Sequence, residues 1–133
     1  MLEIESKLIA SWDDIKTSVE DIVEKIKDME LPIDSIYGIP RGGLIPAVML
    51  SHKLELPLVF EPTENTLIVD DISDSGITLN KTIATPSKYT ATLHMRKGSS
   101  YVPTIYSKLI ESEKWIVYPW EEFNAKPIQN YKL

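Results

Sequence analysis

The chain has 133 residues, enough for one domain with a hydrophobic core and too few for two. Its 43% hydrophobic and 26% charged residues are ordinary for a globular protein, and a net charge of −6 without any basic block argues against nucleic acid as the main partner. The lack of cysteine excludes disulfides and thiolate metal sites. No apolar run is long enough to span a membrane and the first residues lack the apolar core of a signal peptide, so we expect a cytoplasmic protein.

The first predicted helix follows Ser11. From residue 12 to residue 26, apolar side chains recur at the 3.6-residue spacing of a helix, with Lys and Glu on the opposite face. Ser11 and Asp14 approximate a capping box, in which Asp14 replaces the usual Glu or Gln, and Pro32 is expected to end the helix. We assign this helix a packing role. Residues 1–10, of mixed polarity, are compatible with a short edge strand.

A strand–loop–helix unit comes next. Residues 35–39 predict a buried strand, and residues 44–54 predict a helix. The loop between them contains Arg41-Gly42-Gly43, in which the glycines free the backbone and Arg41 supplies a fixed positive charge that can bind a phosphate through two hydrogen bonds. On its own, this loop is also compatible with a plain tight turn.

The most informative stretch is residues 66–78, Thr-Leu-Ile-Val-Asp-Asp-Ile-Ser-Asp-Ser-Gly-Ile-Thr. Its apolar residues 67–69 predict a strand, the acids Asp70 and Asp71 follow, and residues 73–76 favour a turn. In α/β proteins, ligands bind outside the carboxyl ends of the strands. The two carboxylates can accept hydrogen bonds from sugar hydroxyls, or hold a Mg²⁺ that a polyphosphate also coordinates.

The residues after the acids suit a phosphate. Ser75, Gly76, Ile77 and Thr78 would present consecutive backbone N–H groups where a helix begins, Gly76 permits close approach, and the hydroxyls can donate as well. The sequence therefore predicts a phosphorylated sugar as ligand, with a divalent cation. An EF-hand would need Glu where Thr82 stands, and a Walker A loop would need a Lys beside Ser or Thr. The remaining alternative is a capped turn whose acids are merely solvated.

The rest of the chain continues the alternation of strands and loops. Residues 78–84 predict a short helix ended by Pro86, residues 89–95 a strand, and residues 114–120 a final strand before a polar tail. Residues 101–109 are ambiguous. This order of elements predicts an α/β fold with a mainly parallel central sheet flanked by helices, in a single domain over the whole chain.

Residues 69–78 resemble the motif by which type I phosphoribosyltransferases bind phosphoribosyl pyrophosphate (PRPP). That motif is an apolar strand, two acids, two variable residues, then Asp-Thr-Gly-x-Thr, and Ser75 keeps the hydroxyl of its Thr. Arg41-Gly42-Gly43 resembles the pyrophosphate-binding loop of the purine enzymes, in which one peptide is often cis. The resemblance, which spans residues 10–122, implies a Rossmann-like fold and Mg²⁺ as cofactor.

The resemblance also implies roles for individual residues. Residues 74–78 would bind the 5′-phosphate of PRPP, and Asp70 and Asp71 would hold the ribose hydroxyls and organise Mg²⁺. Arg41 and the Gly42 backbone would receive pyrophosphate. Asp74 is the expected general base, which would take a proton from the purine. Its carboxylate is equally suited to a structural role in the loop.

The C-terminal part is similar to bacterial xanthine-guanine phosphoribosyltransferases. There a Lys at a strand end contacts the purine 6-oxygen, and a Trp stacks on the base. Backbone groups next to that Trp form hydrogen bonds with the edge of the base. Lys97, Trp115 and Ile116 match these positions, but aligning Lys97 requires a one-residue gap, which makes Arg96 an alternative. Trp115 and, more so, Trp120 are also compatible with packing roles alone.

The resemblance implies transfer of 5-phosphoribose from PRPP to a 6-oxopurine, and we expect the protein to be a homo-oligomer. One feature departs from the family. Residues 57–60 predict a short strand, and only the hairpin-type turn of residues 61–65 separates it from the motif strand, where most type I enzymes have a long hood loop that closes over the reaction. A PRPP- or nucleotide-binding regulator without transferase activity, and a transferase for a non-purine base, therefore remain alternatives.

Overall fold

The computed structural model describes residues 1–82 and 87–126. The strands are β1 (Leu2–Ile4), β2 (Lys7–Ile9), β3 (Ser35–Gly38), β4 (Thr66–Ser73), β5 (Tyr89–Arg96), β6 (Ile105–Ile110) and β7 (Trp115–Val117), and the helices are α1 (Trp12–Met29), α2 (Leu44–Leu54) and α3 (Ile77–Thr82). None of the helices in these described ranges has the length and apolar character that crossing a membrane requires.

The central sheet has four parallel strands in the order β3-β4-β5-β6. Side chains alternate between its two faces, so Leu67 and Val69 pack with α1 and α2 in the main core, whereas Ile68 packs with Leu79 of α3 on the other face. Because all four strands run the same way, their carboxyl ends lie along one edge of the sheet. The predicted α/β fold with a mainly parallel sheet is confirmed.

A second, smaller sheet joins the N-terminal residues to the segment of residues 115–117. β1 and β2 form an antiparallel hairpin whose turn places Glu5 and Ser6 at positive φ, and β2 pairs in parallel with β7, with Lys7 opposite Trp115. The N-terminal residues thus form two strands instead of one edge strand. Their pairing with β7 holds Trp115 and the residues after it near the carboxyl edge of the central sheet.

The predicted capping box of α1 is present. Asp14 N–H donates to Ser11 Oγ at 3.1 Å, and Ser11 N–H donates to Asp14 Oδ2 at 2.8 Å. The helix ends before Pro32, because Glu30 adopts the left-handed conformation with φ of 51° and closes the last turn.

The motif strand is longer than predicted. Asp70 and Asp71 lie inside β4, which continues to Ser73 because its pairing with β5 continues to Met95. Backbone pairing with a neighbouring strand thus overrides the low strand preference of Asp.

The prediction of a strand at residues 57–60 was wrong. Leu58 makes only an isolated parallel bridge to Ile36 of β3. Since β4 lies on the opposite side of β3, residues 61–65 are not a hairpin turn and instead cross over the end of β3. The predicted end of α3, residues 83–86, lies outside the described residues.

Candidate active site

A cavity of about 680 Å³ lies at the carboxyl edge of the central sheet. Its walls come from Arg41 and Gly42 after β3, from residues 70–76 of β4 and the loop after it, from Arg96 at the end of β5, and from the segment that contains β7. Its volume falls in the range of small-molecule sites.

Most of the side chains predicted for the site meet in this cavity, and two do not. The exceptions are Ile77, which is 54% exposed, and Lys97, which is exposed and does not line the cavity. The predicted residues that line the cavity are Arg41, Gly42, Asp70, Asp71, Asp74, Ser75, Gly76, Thr78, Trp115 and Ile116.

The loop after β3 is pressed against β4. The Pro40–Arg41 peptide is cis, as the family resemblance implied. A Cβ at Gly42 would overlap the Asp71 carboxylate, and one at Gly43 would overlap the Val69 carbonyl oxygen. The two glycines are therefore needed for close approach to β4, while Arg41 remains exposed at the cavity wall.

Asp70 and Asp71 form a pair of carboxylates at the cavity floor. Asp70 is 8% exposed and accepts a hydrogen bond from Asp71 N–H at 2.9 Å, and Asp71 accepts one from Ile72 N–H at 2.8 Å. Burial, reinforced by the neighbouring charge of Asp71, raises the pKa of Asp70 well above its usual range. Burial also raises the pKa of Asp71 to about 6. Two desolvated acids side by side favour a partner that brings positive charge or hydroxyl donors.

This donor set suits Mg²⁺ bound together with a substrate. Within the described ranges, no cluster of three or more His, Cys, Asp or Glu side chains could hold a metal by itself. Mg²⁺ usually binds one or two carboxylates, with water and substrate phosphates completing its coordination. Asp70 and Asp71 offer that pair of oxygen ligands on the cavity wall.

The loop from Asp74 to Thr78, the phosphate loop, is supported from behind by residues 97–101, the serine loop. Ser73 Oγ lies 2.8 Å from Ser99 Oγ and donates to the Tyr101 carbonyl at 2.7 Å. Gly76 has a φ of 89°, and a Cβ on it would lie 2.6 Å from Tyr101 N. The sequence interpretation gave Gly76 the task of approaching a ligand, whereas here it also allows tight contact with the serine loop.

The predicted row of free amides is incomplete in this structure. Ile77 N–H is directed at Ser75 Oγ, 3.3 Å away, while Asn80 N–H donates to the Gly76 carbonyl at 2.9 Å as the first helical bond of α3. A phosphate in this loop would compete with the Ser75 hydroxyl for the Ile77 amide.

Arg96, and not Lys97, faces the cavity. Its Nε donates to Asp74 Oδ1 at 3.1 Å, and its Nη1 donates to the carbonyls of Ser112 and Lys114 at 2.7 and 2.8 Å. Arg96 ends β5 on the same face as Thr92 and therefore turns toward Asp70's side of the sheet, while Lys97 is exposed. The alternation of side chains between the two faces of β5 was the sequence feature that could have placed Arg96 on the same face as Thr92.

Aromatic side chains of residues 115–120 also line the cavity. Trp115 is 42% exposed and lines the cavity, so its ring is available to a planar ligand. Trp120 stacks on Tyr118 with ring centroids 5.0 Å apart and also contacts Trp12. The two residues therefore differ: the Trp115 ring is exposed, whereas the Trp120 ring packs against Tyr118 and Trp12.

Tyr118, which also lines the cavity, and His94 form a buried polar pair. The Tyr118 hydroxyl lies 2.8 Å from His94 Nδ1. Burial lowers the pKa of His94 to about 4, and burial together with the charges of Asp71 and Asp70 raises the pKa of Tyr118 well above its usual range. Both groups are therefore neutral at pH 7.

Comparison with solved structures decides the family. No model of a known protein family matches the chain. A purine phosphoribosyltransferase from Pyrococcus horikoshii Ot3 is 32% identical, superposes with a TM-score of 0.78, and aligns over 92% of this chain and 99% of its own. The chain belongs to the type I phosphoribosyltransferase family. It is thus a member of a family of enzymes, and the predicted family and fold are confirmed.

Other phosphoribosyltransferases resemble the chain over most of its length. The xanthine-guanine phosphoribosyltransferase of Cereibacter sphaeroides is 26% identical over 84% of both chains. That of Vibrio atlanticus is 25% identical over 87% of this chain and 90% of its own. A Helicobacter pylori xanthine-guanine-hypoxanthine phosphoribosyltransferase, 21% identical with a TM-score of 0.76 and aligned over 86% of this chain and 93% of its own, shares the fold.

Proposed function

We propose that this phosphoribosyltransferase transfers 5-phosphoribose from PRPP to N9 of a 6-oxopurine and releases pyrophosphate. The observation that carries the proposal is one cavity whose walls include the acid pair, the phosphate loop, Arg41 and an exposed Trp115. A phosphorylated sugar and a flat base are the two ligands that these walls suit. The names of the xanthine-guanine relatives favour a 6-oxopurine as that base.

The sugar and its phosphates would be held by three parts of the cavity. The phosphate loop would receive the 5′-phosphate, and the carboxylates of Asp70 and Asp71 would accept hydrogen bonds from the ribose hydroxyls. Arg41 and the Gly42 backbone would bind the leaving pyrophosphate, whose charge grows as the bond to the anomeric carbon breaks. Fixing all three groups positions the anomeric carbon for attack.

Mg²⁺ fits this scheme through the same two acids. Asp70 and Asp71 would hold it, in part through water, and bound Mg²⁺ would neutralise charge on the pyrophosphate group. Without a cation, the burial that raises the pKa values of both acids also disfavours their ionised forms.

The base would lie between Trp115 and the end of β5. Trp115 would stack on it, and the backbone at Ile116 would read its edge. Asp74 would accept the proton that the purine loses on bonding to the anomeric carbon. Lys97 stays a prediction for the 6-oxo contact, but its position outside the cavity favours Arg96 for that contact.

The test is a panel of bases incubated with PRPP and Mg²⁺. We expect guanine, xanthine or hypoxanthine to release pyrophosphate and yield the corresponding nucleoside monophosphate, detected by chromatography. Adenine serves as the matched purine without a 6-oxo group. Turnover of pyrimidines alone would instead support a transferase for a non-purine base.

A PRPP- or nucleotide-binding regulator is the second candidate, and the short interval of residues 61–65 favours it. Only these five residues connect the Leu58 bridge region to β4, which leaves no long loop there to exclude water from the reaction. Calorimetry with PRPP and Mg²⁺ that detects binding, combined with no pyrophosphate release for any base, would favour this function.

Homo-oligomerisation, a cytoplasmic location and a single domain over residues 1–133 remain predictions. Exposed apolar side chains support the first, since Leu44 and Val48 are 44% and 41% exposed on α2, and Leu58 and Phe60 are 43% and 94% exposed beside β3. Light scattering after size-exclusion chromatography should give a mass above the 15.1 kDa of one chain.

A further inference from the structure

We propose that Ser100 is a positioning residue that orients the phosphate loop toward its ligand, an inference that rests on the proposed function of that loop. Ser100 lies in the serine loop, is exposed to solvent, and is not among the residues that line the cavity. It would therefore act without touching substrate.

The contact between the two loops centres on one carbonyl group. The Ser75 carbonyl accepts two hydrogen bonds from Ser100, one from its N–H at 3.0 Å and one from its hydroxyl at 2.7 Å. Two donors from a single residue fix the direction of that carbonyl more tightly than one would.

A carbonyl fixed on one side of a peptide fixes an amide on the other. The Ser75–Gly76 peptide is trans, so the Ser75 C=O and the Gly76 N–H point in opposite directions. Since the carbonyl faces Ser100 and Gly76 lines the cavity, the Gly76 N–H is directed to the cavity side. That is the orientation in which an amide binds an anion.

The hydroxyl of Ser100 is itself oriented by α3. Asn80 Nδ2 donates to Ser100 Oγ at 3.0 Å, which leaves the hydroxyl proton to be donated to Ser75. Close packing adds to this arrangement, because a Cβ on Gly76 would overlap Ser100 Oγ. The contacts from Asn80 through Ser100 to the Ser75–Gly76 peptide thus join α3 to the loop that precedes it.

The experiment compares product inhibition by ligands that use different parts of the cavity. In Ser100→Ala, we expect the KM for PRPP and the Ki of a nucleoside monophosphate to rise about tenfold, the effect of one lost hydrogen bond of about 1.4 kcal/mol. The Ki of pyrophosphate, which would bind near Arg41, and the KM for the base should change less than about twofold. Ser100→Thr keeps the hydroxyl and should restore wild-type values.

Two further variants complete the design. Ser107→Ala, on β6 away from the cavity, is the matched control and should behave as wild type. Asn80→Ala should weaken PRPP binding in the same direction, and the double variant with Ser100→Ala should lose less than the sum of the two, because both act on one hydroxyl.

Each outcome bears on one of the two proposals. If wild-type protein binds PRPP and Ser100→Ala shows unchanged KM and Ki values, the positioning role is overturned while the proposed function stands. Equal weakening of nucleoside monophosphate and pyrophosphate, or failure of Ser100→Thr to restore binding, would also overturn it, since either indicates general disturbance of the cavity. Wild-type protein that binds no PRPP would instead overturn the proposed function.

Discussion

Asp70 and Asp71 show how a functional site departs from the rules that govern the rest of a strand. Leu67, Ile68 and Val69 are buried apolar residues, and the two acids continue the same strand, with Asp70 buried and Asp71 half-buried. Burying a carboxylate costs free energy unless positive charge or donors compensate it. Burial raises the pKa values of both acids, a shift that is common among carboxyl groups at functional sites.

The role of Asp74 can be separated from binding. Asp74→Asn keeps the shape and the possible bond to Arg96 but removes the basic oxygen, so we expect kcat to fall by on the order of 100-fold or more while PRPP affinity stays within a few-fold. Steady-state kinetics and calorimetry with PRPP provide the two readouts. Asp28→Asn, on exposed α1, is the control, and loss of PRPP binding by Asp74→Asn would reassign Asp74 to the phosphate loop.

Trp115 should contribute to base affinity and little to stability. Because its ring is 42% exposed and faces the cavity, Trp115→Leu should raise the KM for the purine on the order of tenfold, as expected for loss of a stacking contact, with the melting temperature nearly unchanged. Phe60→Leu, which replaces an aromatic ring that is 94% exposed, is the control. An unchanged KM in Trp115→Leu would argue that the base binds elsewhere.

At the scale of elements, β5 carries two different tasks on one face. Thr92 and His94 lie fully inside the protein, whereas Arg96, two residues further along the same face, reaches the cavity and binds the phosphate loop and the segment before β7. The same strand therefore runs from the buried interior to the cavity, where Arg96 contacts Asp74 of the phosphate loop and the carbonyls of Ser112 and Lys114.

Acid should destabilise the protein through His94. Its pKa is about 4 when folded and 6.5 when exposed, so below pH 6.5 the unfolded chain binds the proton and the folded one does not. Stability is therefore full above pH 6.5 and is lost as pH falls toward 4, by on the order of 3 kcal/mol in total.

Denaturant unfolding at pH 7.5, 5.5 and 4.5 tests this with His94→Gln as the comparison. The raised pKa of Asp71 acts in the opposite direction, because its burial cost is relieved as pH falls below about 6. The difference in unfolding free energy between wild type and variant removes this common contribution. That difference should shrink as pH falls, and a constant difference would show that His94 titrates normally in the folded protein.

At the scale of the whole molecule, the N-terminal strand β2 holds the segment of residues 115–126, which lines the cavity. Lys7 of β2 donates to the Phe123 carbonyl at 2.8 Å, and its Nζ lies 4.2 Å from the centre of the Phe123 ring. Glu121 and Lys126, on either side of Phe123, line the cavity. The small sheet thus holds residues 119–126 against the cavity.

Removing this anchor should loosen the wall without unfolding the protein. In Lys7→Ala we expect faster amide hydrogen exchange at residues 119–126 and a KM for the base raised a few-fold, because the half-buried contact of Lys7 with Phe123 is lost while the pairing of β2 with β7 remains. Lys16→Ala, on the exposed face of α1, is the matched control. Unchanged exchange at residues 119–126 would mean that β7 alone holds the segment.

Local patterns in the sequence determined much of this protein. The capping box at Ser11 and Asp14, the two strand–loop–helix units, and the acid pair followed by a hydroxyl-bearing loop depend on neighbours along the chain, so composition and spacing were enough to predict them. Only the tertiary structure decided that Arg96 binds Asp74, that Ser100 supports the phosphate loop, and that β2 pairs with β7. These contacts join residues far apart in sequence, and they depend on strand register and burial, which a linear pattern does not encode.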